Sequence, residues 1–157
     1  MRLEIILKLL FGIILGLILA GALFALIRWQ MGRVAPPMPL GLQNGQLAPC
    51  PPNSINCVRS QADSTWHYST DAASAQAALL ALLQAQPRVN IVVQQPGYIH
   101  AEFHSLVWNF IDDVEFAFDP TQPDIHYRSA SRAGKGDLGA NAARMKLLLA
   151  AWQAQPR

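Results

Sequence analysis

The stretch "RSASRAGKGDLGAN", Arg128 to Asn141, decides between two folds. Gly134, Gly136 and Gly139 spell G-x-G-x-x-G between a strand-like run and a helix-like run. That lettering marks a dinucleotide-binding turn only inside a βαβ unit, with an acidic residue about 20 positions further on. Here 18 residues follow Gly139 (157 − 139); they read as helix to the end and contain no Asp or Glu. A kinase-type glycine loop joins two strands. A Walker loop needs Gly-Lys-Ser/Thr where this chain has Gly-Lys-Gly. The glycines therefore read as the joint between a strand and a helix, where the chain must turn sharply. Asp137 is placed to accept backbone N–H groups near the helix start and to oppose its positive end. No nucleotide is expected.

Working outward, the runs before this joint alternate with period two. In "YIHAEFHS", Tyr98–Ser105, Ile99, Ala101 and Phe103 face one way, and Tyr98, His100, Glu102 and His104 the other. "DDVEFAFD", Asp112–Asp119, turns Val114, Phe116 and Phe118 inward, and "IHYRSAS", Ile125–Ser131, is the last strand. "VNIVVQ", Val89–Gln94, is β-branched and short, and "STWHYS", Ser64–Ser69, is a weaker strand candidate. "DAASAQAALLALLQAQ" is rich in strong helix formers, with Ser69 or Thr70 as its cap, Ala75, Leu79, Leu82 and Leu83 on one face, and Pro87 at its end. "ANAARMKLLLAAWQA" is a helix with Met145, Leu148, Leu149 and Trp152 on its buried stripe. The order β-α-β-β-β-β-α predicts an α+β domain: an antiparallel sheet of four to five strands with two helices on one face.

The N-terminal part differs in kind. Of the 157 residues, 52% are apolar, and the excess lies in Leu9–Ile27, an uncharged run of 19 residues. That length crosses a bilayer core as a helix, and the run has no polar face. Ala20-Gly21-Ala22 would suit signal cleavage, but the apolar run continues to Ile27, which favours an uncleaved anchor. Arg2 and Lys8 before the run and Arg28 and Arg33 after it leave orientation undecided. The expected organisation is an anchor over 1–29, a Pro/Gly-rich tether over 30–47 lifting the domain off the membrane, and a folded domain over 48–157. From Val34 onward there are 8 Lys/Arg against 9 Asp/Glu, which is no electrostatic footprint for nucleic acid.

Cys50 and Cys57 lie in "CPPNSINC". Two thiols in one short proline-rich turn suit a disulfide in an oxidising compartment. Two free thiols in a cytosolic loop are the alternative. A structural metal would want four ligands.

The remaining polar residues gather on adjacent strands. H-x-E-x-H at His100, Glu102 and His104 puts three groups on one face, about 7 Å apart between alternate residues. The alternatives are a solvated face with cross-strand ion pairs such as Glu115 with Arg128, a polar ligand site, or a metal site. Ser129 and Ser131 lie near His126, but no G-x-S-x-G nucleophile elbow is present. Asp112 and Asp113, adjacent on a strand, point to opposite faces and make no acid/base pair as they stand. A buried Asp112 needs a partner, with Arg132 and Arg144 as candidates.

Together, "CPPNSINCVRSQA", "YIHAEFHS", "FIDDVEFAFD" and "IHYRSASRAGKGDLGANAARM" resemble the uncharacterised family catalogued as domain of unknown function 1499, over about Ala48–Leu149. Its most specific pieces are "DDVEF" and "RSASR-G--DLG-N--R". The resemblance implies a bacterial envelope-associated or membrane protein, or a plastid protein, and brings no activity or cofactor with it. It singles out a polar cluster of Glu102, Asp112, Asp113 and Glu115, then Arg128, Ser129, Ser131 and Arg132, then Asp137, Asn141 and Arg144. Arg is the more frequent residue of that family where this chain has His104, which argues for ion pairing over ligation there. The expected protein is a single-pass inner-membrane protein with its C-terminal domain in the periplasm, inserted in lipid through residues 9–27. The domain is expected to act as a non-catalytic structural or binding module for a lipid-like or protein ligand, needing no cofactor or metal. The alternative is a hydrolase-like enzyme in which Asp113, Glu115, Arg128 and Ser131 converge in a pocket.

Overall fold

A computed structural model describes residues 2–61 and 64–155. Helix α1, Arg2–Met31, is continuous, buries no residue against the domain, and is long and apolar enough to cross a membrane. The domain is α+β. Its main sheet combines the short strands β3, Cys57–Arg59, and β4, Trp66–His67, with β5, Val89–Gln95, β6, Tyr98–His104, β7, Ile111–Phe118, and β8, Asp124–Ser131. All pairings are antiparallel, in the order β3-β8-β7-β6-β5. Strand β4 lies beside β3 along the same edge of β8, so six strands make a sheet five positions wide. The sequence reading lacked β3, whose three residues are too short to show a period.

Two helices cover one face. Helix α2, Ala72–Gln84, buries Ala75, Leu79 and Leu83, and helix α3, Ala140–Gln153, buries Asn141, Met145, Leu148 and Trp152. They pack on Ile99, Ala101, Val114, Phe116, Phe118 and Ile125, with Trp66 filling the space beside Phe116 at 5.4 Å between ring centroids. The cap of α2 is Asp71 rather than Ser69 or Thr70: its carboxylate accepts the Ser74 N–H at 2.9 Å and the Ser74 hydroxyl at 2.6 Å. A carboxylate accepts two bonds at once near the positive helix end, which a hydroxyl does less well.

The segment expected to be a tether is instead a strap packed across the other face of the sheet. It carries a small hairpin, β1, Leu42–Gln43, and β2, Gln46–Leu47, turned through Asn44 and Gly45, both at positive φ. Leu47 is buried with Tyr98 and Ala117 in a second, minor core. The sheet is thus sandwiched between two helices and a strap.

Candidate functional site

The strand register sorts the polar residues onto two faces. Across β6, β7 and β8 the partners are Glu102–Asp113–Ala130 and His100–Glu115–Arg128 on one face, and Phe103–Asp112–Ser131 and Ala101–Val114–Ser129 on the other. Asp113, Glu115, Glu102, Arg128 and Arg132 therefore belong to the strap face. Asp112, Ser129 and Ser131 join Asp137, Asn141 and Arg144 on the helix face. What the sequence presented as one cluster is two, separated by the thickness of a sheet.

On the strap face, Arg128 and Glu115 are 1% and 0% exposed, so this cross-strand pair is buried, not solvated. The Arg128 Nε donates to Glu115 Oε2 at 2.7 Å, and its Nη2 reaches the same oxygen. The other carboxylate oxygen, Oε1, accepts the Tyr98 hydroxyl at 2.6 Å and the Gly41 N–H at 2.7 Å. The guanidinium also donates to the carbonyls of Pro39, at 2.7 Å, and Ala48, at 3.4 Å. Burial first, and then the Glu115 carboxylate, push the Tyr98 phenol far above its ordinary pKa, which keeps it a neutral donor.

One layer along, Arg132 grips Asp113 with a two-pronged fork, Nε to Oδ2 at 2.9 Å and Nη2 to Oδ1 at 2.7 Å. It also reaches Glu102 and donates to the Val34 carbonyl at 3.3 Å. His100 Nε2 lies 2.7 Å from Asp113 Oδ1. Burial alone would raise the Asp113 carboxyl, but its bonds from Arg132 and His100 outweigh that and hold it below the usual carboxylate range. The proline-rich strap explains the choice of arginine. The strap crosses the face of the sheet, out of the plane of the ladder bonds, so its carbonyls at Val34, Pro39 and Ala48 need side-chain donors. A guanidinium has five donors and no acceptor, and it satisfies a neighbouring carboxylate and bare carbonyls together.

On the helix face Asn141 is the hub. Its Oδ1 accepts the Ser129 hydroxyl and Arg144 Nη1, the latter at 2.7 Å. Its Nδ2 donates to Ser131 Oγ at 2.9 Å, Asp137 Oδ2 at 2.8 Å and the Asn56 carbonyl at 3.2 Å. A guanidinium only donates, so the amide can stand only this way round. Arg144 also pairs with Asp112 and lies over the Phe103 ring at 4.8 Å. Of the two arginines proposed for Asp112, Arg144 takes it and Arg132 takes Asp113.

The glycine loop hangs from this hub. Asp137 accepts the Gly139 N–H at 2.9 Å and the Asn141 N–H at 2.8 Å, capping α3 from two residues upstream. Burial would raise its carboxyl; those backbone donors bring it below its ordinary value. Gly134 and Gly139 adopt positive φ, and a Cβ on Gly136 would stand 3.2 Å from the Ile55 side chain. Each glycine thus serves the turn itself. Ile55 and Gly136 form a bridge, Asn56 Nδ2 donates to the Gly134 carbonyl at 2.8 Å, and Cys50 and Cys57 are disulfide-bonded, so the loop is docked on a covalently closed turn.

Among the described residues, no buried side-chain nitrogen or oxygen lacks a partner. The histidines of H-x-E-x-H are likewise engaged: His100 on Asp113, and His104 Nδ1 at 2.9 Å from Asn109 Oδ1. A cavity of about 240 Å³, lined by none of the network residues, lies between the β1–β2 hairpin and the β7–β8 end of the sheet, with Arg59, Asp119 and His126 among its walls. The sequence reading missed Asn56 and the strap carbonyls, which carry no signal of their own. Tyr98 was placed on the correct face without a partner.

An apolar helix of membrane-spanning length joined to this α+β domain defines the class of protein. The chain belongs to the family described as protein of unknown function (DUF1499), whose model matches residues 46–152. No curated protein and no solved structure compared with the chain matches it. The family match includes Ala48 and begins after Val34, Pro39 and Gly41, the first strap contacts.

Proposed function

We propose that the protein is a single-pass bacterial inner-membrane protein whose domain faces the periplasm and serves as a structural or binding module rather than an enzyme. The observation that carries this reading is the closure of the motif residues upon one another: three arginines, Arg128, Arg132 and Arg144, are each engaged by a carboxylate and by strap carbonyls or neighbouring side chains. Catalytic groups need a substrate within reach of an available donor or nucleophile. Ser131 Oγ instead receives the Asn141 amide, on the face opposite Asp113, Glu115 and Arg128, so the four groups of the hydrolase reading do not converge. These networks act as clasps, one locking the strap to the sheet and the other locking α3 and the disulfide turn to β8. The disulfide supports the compartment, since such bonds persist in oxidising surroundings.

Reporter fusions at the C-terminus test the topology, and a cytoplasmic signal contradicts it. Lipid extraction and native mass spectrometry of the full chain test the binding role. A clasp variant that stays fully folded yet loses a cellular phenotype speaks for a catalytic or ligand-contacting role instead.

A further inference from the structure

We propose that the loop between β6 and β7, Ser105–Phe110, is a second membrane contact: an apolar foot that enters the lipid interface beside α1. The loop reads "SLVWNF", and Leu106, Val107, Trp108 and Phe110 are between 41% and 67% exposed. Four large apolar side chains in six residues make an unusual patch for a surface meeting water.

The patch is fastened to the end of the membrane-length helix. Arg28 Nη1 donates to the Leu106 carbonyl at 2.6 Å and to the Val107 carbonyl, while the Trp108 ring meets Phe24 edge-on at 5.4 Å between centroids. Phe24 belongs to the uncharged run and lies four residues before Arg28, about 6 Å further into the span at ~1.5 Å per residue. Trp108 therefore sits at the depth of the last apolar turn, with Trp29 and Arg33 stacked nearby at 3.7 Å. Tryptophan concentrates at that level of a bilayer.

The loop holds its shape: Ser105 N–H donates to the Phe110 carbonyl and Ser105 Oγ accepts the Phe110 N–H, both at 2.9 Å. Arg88, beside Val89, and Lys135, shortly after Ser131, are exposed at the same end of the sheet, where they suit phosphate headgroups. Continuity with the anchor thus names the occupant as lipid. The inference rests on α1 being a membrane span.

The test is site-directed spin labelling of the full chain in vesicles of phosphatidylethanolamine and phosphatidylglycerol. Both native cysteines are in the disulfide, so an introduced thiol is the reactive one. Labels go at Leu106→Cys, with Val107→Cys as a second loop position, Leu17→Cys in α1 and Gln122→Cys at the far end of β7. The expected result is high collision with oxygen and loss of collision with an aqueous nickel reagent at 106, 107 and 17, against the reverse at 122. Lipid exposure at 17 with aqueous exposure at 106 and 107 overturns the foot and leaves the anchor standing. Aqueous exposure at 17 overturns the anchor and the foot with it. Shielding of 106 and 107 from both reagents means that protein covers the loop, which also overturns the proposal.

Discussion

Asp112 and Asp113 share a peptide bond and serve opposite sides of the sheet: Asp112 is held by Arg144 under α3, and Asp113 by Arg132 under the strap. Each arginine therefore fastens a different layer, and removing them should give separable defects. Arg132→Ala leaves Asp113, 4% exposed, and Glu102 without their cation, and stranding a buried carboxylate costs about 3–5 kcal/mol. Chemical denaturation of the full chain in detergent should register that loss, together with protease cleavage within 34–48. Arg144→Ala, whose partner is less buried, should cost roughly 1.5–3 kcal/mol and leave the strap resistant.

Asn141→Ala should be as damaging as a charge deletion, although the residue is neutral. It removes the acceptor of the buried Ser129 hydroxyl, which keeps only the donor Arg144 Nη1 at 3.2 Å, removes the donor to the buried Ser131, and takes one acceptor from Arg144. Leaving buried polar groups unsatisfied costs about 1–3 kcal/mol each. Asn141→Asp keeps the acceptor but sets a second buried carboxylate against Asp137 and the Asn56 carbonyl, so its unfolding midpoint should fall at least as far as that of Asn141→Ala.

Acid should loosen the strap before neutral conditions do. The folded-state Asp113 carboxyl lies below its ordinary value, so the unfolded chain takes up the proton more readily. The stabilisation is complete above the ordinary carboxylate range, about pH 4, and is lost as pH falls through the depressed folded value. The groups facing it are Arg132, His100 and, through Arg132, Glu102. Urea midpoints measured from pH 6 down to pH 2 should fall steeply below about 4, and Asp113→Asn should flatten that slope.

Reduction of Cys50–Cys57, or the double alanine variant, should lower stability by about 2–3 kcal/mol on the chain-entropy account for so short a loop. The loss should be largest locally, since the closed turn presents Asn56 to Ser131, Gly134 and Asn141. Hydrogen exchange at the Ser131 amide, which donates to the Asn56 carbonyl at 3.0 Å, is the measurement.

Much of the fold was legible because its signals are periodic. The alternation in Tyr98–Ser105 and Asp112–Asp119 placed inward and outward residues correctly, and together with the stripes of α2 and α3 it named most of the core. The faces of the polar residues were equally readable from that alternation, but treating the cluster as one site overrode them. The strap was not legible as packed structure. Its proline and glycine content signals lack of regular periodicity, which a loose linker and a tightly held extended segment share. One clue was there: Asn44-Gly45 between Leu-Gln and Gln-Leu is the short-range mark of a two-residue hairpin. The arginine-to-carbonyl bonds that hold the strap span 80 to 98 residues of chain, and no local pattern encodes contacts at that distance.

The clasp at Val34 sets how far the domain can search. A free segment of 18 residues could extend roughly 60 Å at about 3.3–3.6 Å per residue. With Arg132 holding the carbonyl of Val34, three residues past the end of α1, and Arg28 holding the β6–β7 loop, at most about 10 Å of chain separates helix from domain. The domain then cannot cast about for a distant target. On the proposed reading of α1 as an anchor, the domain stays within that reach of the lipid surface.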